Sequence, residues 1–189
     1  MNNAYKIFNA IIFQAGWLIC VLTSNVMSLI FTATYIAIHL LFLYCKNKKF
    51  SLIREIFWLA LFIVLGFICE SAFFNSGILY KTDLTSSSTL ELSLNQFIFP
   101  PIWLLCLWAL FSISMRTSLL FILNKPLLAY ALIIVMSPCS YYAGAKLNTQ
   151  VDIAQPLILN LSIIGLTWVF VMASIIVIKR HYFKDIDYV

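Results

Sequence analysis

The sequence runs as a series of apolar stretches, each near the roughly 20 residues that carry a helix across a bilayer, with short polar or basic breaks between them. Six spans are read, at about residues 7–23, 29–45, 55–80, 99–115, 126–144 and 156–178. The pattern predicts an all-α, polytopic transmembrane helix bundle that forms one integral membrane domain over residues 1–189, with five spans as the alternative count. Composition closes off other classes. The chain is 63% hydrophobic and 10% charged, against about 45–50% and about 25% in soluble domains. An ordinary cytosolic enzyme, a nucleic-acid binder and a disordered tail are excluded, and too little chain lies outside the runs for a soluble domain.

The breaks set the topology. Ser24-Asn25-Val26-Met27-Ser28 reads as a tight turn, and Lys46-Asn47-Lys48-Lys49 is the densest basic cluster. Residues 81–97 read as a polar, Ser/Thr-rich loop containing Asp83 and Glu91. Pro100-Pro101, Pro126 and Pro156 stand at the starts of later spans, where a missing N–H does least harm. Continuing the fourth span to Asn124-Lys125 would leave Arg116 in hydrocarbon, at a cost of several kcal/mol on insertion scales. The preferred reading ends that span at Met115, lets Arg116 snorkel at the inner membrane edge and makes the following segment interfacial. With six spans and both termini cytoplasmic, Lys6, Lys46, Lys48, Lys49, Arg54, Lys125, Lys179, Arg180 and Lys184 lie inside, and Lys81 and Lys146 outside. That asymmetry satisfies the positive-inside rule. The first run has no small-x-small cleavage site and is expected to be a retained helix. Cys20, Cys45, Cys69, Cys106 and Cys139 lie in or at the ends of runs without a CxxC pair, so they are read as packing residues rather than as a disulfide or zinc framework.

Glu70 is the one acidic residue well inside an apolar run. Intramembrane acids usually face the bundle interior, find a partner and mark a site, although a single structural hydrogen bond is the plainer role. At 1.5 Å per residue, Glu70 lies roughly 22 Å above Glu55, Ser140 roughly 21 Å above Pro126 and Trp103 roughly 20 Å above Arg116. Glu70, Trp103, Ser140, Tyr141 and Tyr142 therefore fall at similar depth in the outer half of the bilayer, and a shared pocket there is the candidate site. A neutral acid hydrogen-bonded to Ser140, Tyr141 or Tyr142 is expected, with a Glu70–Lys146 pair as the rival. Pro138 is expected to kink the fifth span near its end, with a broken-helix binding site as the alternative, and Gly144 to end or flex it. On the first span Asn9, Phe13 and Trp17 share a face, and Gln14, expected to bond to another helix, lies beside Trp17. Trp17 and Gln14 complete the candidate set. His39 stands alone, so a buried neutral histidine is expected there, and no metal and no cofactor is called for.

Several segments resemble one bacterial inner-membrane family. They are Asn9-Ala-Ile-Ile-Phe13-Gln14-x-x-Trp17, Glu70-Ser71 with Gly77-Ile-Leu79, and Pro101-Ile-Trp103-Leu with Leu107-Trp108-x-x-Phe111 and Ser118-Leu119. Ser137-Pro138-x-Ser140-Tyr141-Tyr142-Ala143-Gly144 and Trp168 extend the match to nearly the whole chain. The family is called domain of unknown function 2878. The resemblance implies an inner-membrane location and a membrane or lipid-modifying protein as partner, but carries over no reaction and no catalytic residue. The expected function is binding of a lipid or apolar small molecule, or support of a lipid-modifying partner, within the lipid bilayer. A small membrane-embedded lipid-acting enzyme with Glu70 as acid/base, or a small transporter, are the alternatives.

Overall fold

A computed structural model describes residues 3–46, 51–82 and 97–183. The chain forms an all-α bundle. Its helices are α1 (Asn3–Leu22), α2 (Asn25–Lys46), α3 (Leu52–Asn75), α4 (Ile102–Arg116), α5 (Leu120–Leu123), α6 (Pro126–Leu147) and α7 (Leu157–Tyr182). Two short strands, β1 (Leu79–Lys81) and β2 (Val151–Ile153), pair antiparallel, with Tyr80 opposite Asp152. Five helices, α1, α2, α3, α6 and α7, are long and apolar enough to cross a membrane; α4 is a shorter apolar helix.

The bundle has two parts. One is α4 sheathed by α1, α2 and α3; the other is α6 packed along α7. Burial explains the short α4. Trp103, Leu104, Cys106, Trp108–Leu110 and Ser112–Arg116 are all buried, so this helix meets protein on nearly every side. With the segment that leads into it from Ile98, it reaches from the Asn75 end of α3 to Glu55 in the first turn of α3. At one end Asn75 joins the backbone of Ile98, donating to its carbonyl at 3.1 Å and accepting from its N–H at 3.0 Å. The Asn25 carboxamide accepts from the Trp103 N–H at 3.1 Å, satisfying one of the donors that a helix start leaves open. At the other end Arg116 meets Glu55.

That last contact corrects the reading of Arg116. It does not snorkel at a membrane edge: it is buried and its Nε donates to both Glu55 carboxylate oxygens, at 3.1 and 2.9 Å, while Nη2 forms an ion pair with the same group. Glu55 opens α3 and faces inward, so the cation is neutralised inside the bundle. The chain does break at Arg116. Thr117–Leu119 turn, α5 adds one helical turn, and α6 starts at Pro126. Other boundaries move as well. α2 starts at Asn25 rather than near Leu29, because Ser24 caps it, its carbonyl accepting the Ser28 N–H at 3.1 Å. α3 stops at Asn75, short of Tyr80, where Gly77 takes a positive φ of 74° that side chains disfavour. Gly144 neither ends nor breaks α6, which runs on to Leu147. The reading of 81–97 as a polar loop, and Lys48, Lys49 and Lys184, fall wholly or mostly outside the described residues.

Pro138 sits inside α6. The Ser137 hydroxyl donates to the Ile133 carbonyl at 2.8 Å, as membrane helices with proline commonly arrange. Gly165 of α7 lies against this place: a β-carbon there would sit 3.0 Å from the Ile134 carbonyl oxygen and 3.1 Å from Pro138 Cγ.

The buried pair makes a test. Lysine keeps the charge but cannot reproduce the guanidinium fork. Arg116→Lys is expected to lower thermal stability in detergent, and Arg116→Ala to cost more, about 3–5 kcal/mol for an orphaned buried charge. Wild-type stability for Arg116→Lys would contradict the pairing.

Candidate functional site

Glu70 lies about five turns into α3, on the stripe that buries Phe62, Gly66, Cys69 and Phe73. It is 1% exposed. Its Oε1 accepts from Trp108 Nε1 at 2.9 Å and from the Tyr141 hydroxyl. Its other oxygen, Oε2, is buried without a hydrogen-bond partner among the described residues. One carboxyl thus joins three helices: α3, α4 and α6.

The Trp108 ring is held on both faces. It stacks on Trp168 of α7, with centroids 4.4 Å apart and planes inclined by 13°. Gly66 of α3 lies against its other side: a β-carbon there would fall into the indole. Close approach through a glycine is a common device where helices pack in membranes. Phe111 meets Trp168 edge-on at 5.5 Å, and Phe73 meets Tyr141 edge-on at 5.8 Å. Aromatic contacts of this kind contribute about 0.5–1.5 kcal/mol beyond their area, and here they bridge the two parts of the bundle.

Around this knot the two parts stand slightly apart and enclose a cavity of about 490 Å³. Glu70, Trp103, Ser140, Tyr141 and Trp17 all line it. The remainder of its wall is apolar apart from Ser137, and it extends from Leu79 and Val151 of the strand pair to Leu119, Ile122 and Ala129 at the Arg116 end. The Trp103 and Trp168 indole nitrogens are buried and have no hydrogen-bond partner among the described residues. Trp17 Nε1 donates to the Ser140 hydroxyl at 3.1 Å, tying α1 to α6 across the seam.

Two candidate residues lie elsewhere. Tyr142 is exposed and has Lys146 over its ring at 5.7 Å. Both belong to a separate polar pocket of about 140 Å³ with Tyr80, Asp152 and Gln155. One residue along a helix is a turn of about 100°, so Tyr142 cannot share Tyr141's direction. Lys146 is accordingly not placed with Glu70. In the outer pocket Tyr80 donates to Asp152 at 3.4 Å; its partial burial and that carboxylate raise its phenol above the ordinary value. Gln14 is exposed too, one residue past Phe13 and rotated off the face formed by Asn9, Gly16 and Cys20. Ser140 bonds to Trp17, not to Glu70.

Asn9 is wholly buried: it donates to the Tyr35 hydroxyl and accepts from Ser118 at 3.1 Å. His39 is buried with Nδ1 2.9 Å from the Tyr5 hydroxyl. Among the described residues no three His, Cys, Asp or Glu side chains gather as a metal set would.

An apolar helix bundle of this kind, with five helices long enough to span a bilayer, is a membrane protein. The family model for proteins of unknown function (DUF2878) matches residues 6–174, and the chain belongs to that family. No curated protein and no solved structure matches the chain.

The glycines give a paired test. Gly66→Ala must displace Trp108 and is expected to destabilise the protein by about 1–3 kcal/mol and to shift its tryptophan emission. Gly144→Ala, with nothing within 4 Å of the new carbon, should be neutral or stabilising by up to about 1 kcal/mol. Equal thermal stabilities for the two variants would contradict the packing described.

Proposed function

We propose that this is a multi-pass protein of the bacterial inner membrane that holds a lipid or other apolar small molecule in the cavity around Glu70. The observation carrying this reading is the cavity itself: about 490 Å³, walled by apolar side chains, with a buried carboxyl on its wall. That volume lies within the about 300–1,000 Å³ typical of ligand pockets. A lipid-modifying membrane protein is the partner that such a ligand suggests.

Both termini are assigned to the cytoplasm. Basic residues near the ends of α2, α3, α6 and α7, among them Lys46, Arg54, Lys125, Lys179 and Arg180, belong to the Arg116 end of the bundle. Lys81 and Lys146 belong to the strand-pair end. The bias supports the Arg116 end as the inner one. Reporter fusions at Val189 and Ser87 are expected on opposite sides, with Ser87 outside. Val189 outside would overturn the orientation or the span count.

Native mass spectrometry of the purified protein is expected to show a retained lipid-sized adduct. Release of only bulk-membrane lipids in their bulk proportions would count against the reading. The Tyr141–Glu70 hydrogen bond favours a second reading, a lipid-acting enzyme with Glu70 as acid or base. Glu70→Gln separates them. Binding alone predicts normal accumulation and the same adduct, whereas acid/base chemistry predicts normal accumulation with a changed adduct.

A further inference from the structure

We infer that the cavity takes an uncharged, single-chain lipid bearing a hydroxyl group, with the hydroxyl between Glu70 and Trp103 and the chain running toward Ile122 and Ala129. This rests on the reading of the cavity as a ligand site and names the chemical class of the ligand.

Three observations carry it. First, the cavity wall carries three buried polar atoms with no hydrogen-bond partner among the described residues: Glu70 Oε2, Trp103 Nε1 and Trp168 Nε1, the last on a ring already stacked against Trp108. An indole N–H can only donate, while a carboxyl oxygen can accept. A hydroxyl both donates and accepts, so it has the chemistry to answer a carboxyl oxygen and an indole N–H alike. Buried polar atoms are rarely left alone, and each costs free energy when it is. Secondly, no lysine or arginine lines the cavity among the described residues. A phosphate or other anionic head placed beside Glu70 would be buried with no cation to neutralise it, which excludes phospholipid heads and alkyl phosphates from this position. Thirdly, the space below Glu70 is long, apolar and limited in volume. From Ser140 to Ala129 along α6 is about 16 Å at 1.5 Å per residue, and the walls there are Leu, Ile, Phe and Met. A single extended chain suits a space of that length and of about 490 Å³.

The bilayer is the source of the chain. Leu132, Met136 and Phe121 line the cavity and are also exposed on the outside of the bundle. In the membrane that outside faces lipid, so the wall at α6 opens to the bilayer rather than to water. The Trp17–Ser140 hydrogen bond, itself exposed, closes the same seam one level above.

Tryptophan quenching tests this without a label on the protein. Of the five tryptophans, Trp17, Trp103, Trp108 and Trp168 line the cavity and Trp58 does not. Purified protein in detergent is titrated with a long-chain alcohol brominated along its chain, and with the matched brominated alkane and alkyl phosphate at equal mole fraction in the micelle. The alcohol is expected to quench saturably at about tenfold lower mole fraction than either analogue. Trp103→Phe keeps the ring and removes the free N–H, and it should shrink the preference for alcohol over alkane several-fold while saturable quenching persists. Equal quenching by alkane or phosphate, or an undiminished preference in Trp103→Phe, overturns the hydroxyl assignment and leaves the cavity reading standing. Quenching by all three that grows linearly without saturation overturns the cavity reading itself.

Discussion

The structure hangs on the hydrogen bond from the Trp108 indole to Glu70. In a bilayer there is no water to drive helices together, so packing, hydrogen bonds and small residues at the contact must hold them. All three meet at Trp108, pressed on Gly66, stacked on Trp168 and bonded to Glu70, which also receives Tyr141. The α1–α4 group and the α6–α7 pair are pinned at this point. They are pinned again at their ends, where Asn148 donates to the Val21 carbonyl at 2.7 Å and Lys179 to Asn124 at 2.6 Å. Between the pins the two parts stay apart, and the cavity is the space they leave.

The two ends of the bundle carry different chemistry. At the Arg116 end Arg116, Glu55, His39, Asn9 and Tyr35, with the half-buried Tyr5, form a polar layer whose members are paired. A buried ion pair often adds little net stability, because desolvating both charges offsets their attraction. What this one does is fix the level at which α3 and α4 meet, since a slip of either helix would bury an unpaired charge. At the strand-pair end asparagines make the connections. Asn25, Asn75, Asn148 and Asn160 bind backbone groups of neighbouring segments and hold the turns and the strand pair over the cavity.

How much of this was legible depended on whether a feature is local. Apolar length is local, so the helices could be read, and rise per residue then placed Glu70, Trp103, Ser140 and Tyr141 at one depth and on one cavity. Direction around a helix is a finer matter: Tyr142 has the right depth and the wrong face, and Gln14, chosen for its place beside Trp17, is exposed. Partnership across the chain left no trace to read. Arg116 looked like a lone cation because Glu55 stands 61 positions away and seemed to belong only to a span start. The Gly66 contact was hidden for the same reason, since a glycine in an apolar run says nothing of the indole that will lie on it. The strand pair, three residues on each side, is too short to show an alternation.

The central claim is that the space around Glu70 holds a molecule from the membrane. An experimental structure of the protein in a lipid nanodisc tests it most directly. Continuous density extending from Glu70 Oε2 and Trp103 Nε1 along the walls of Ile133 and Leu119 is the result this account predicts. A cavity closed by contact of α6 with α1, or Glu70 turned out toward the bilayer, would contradict it.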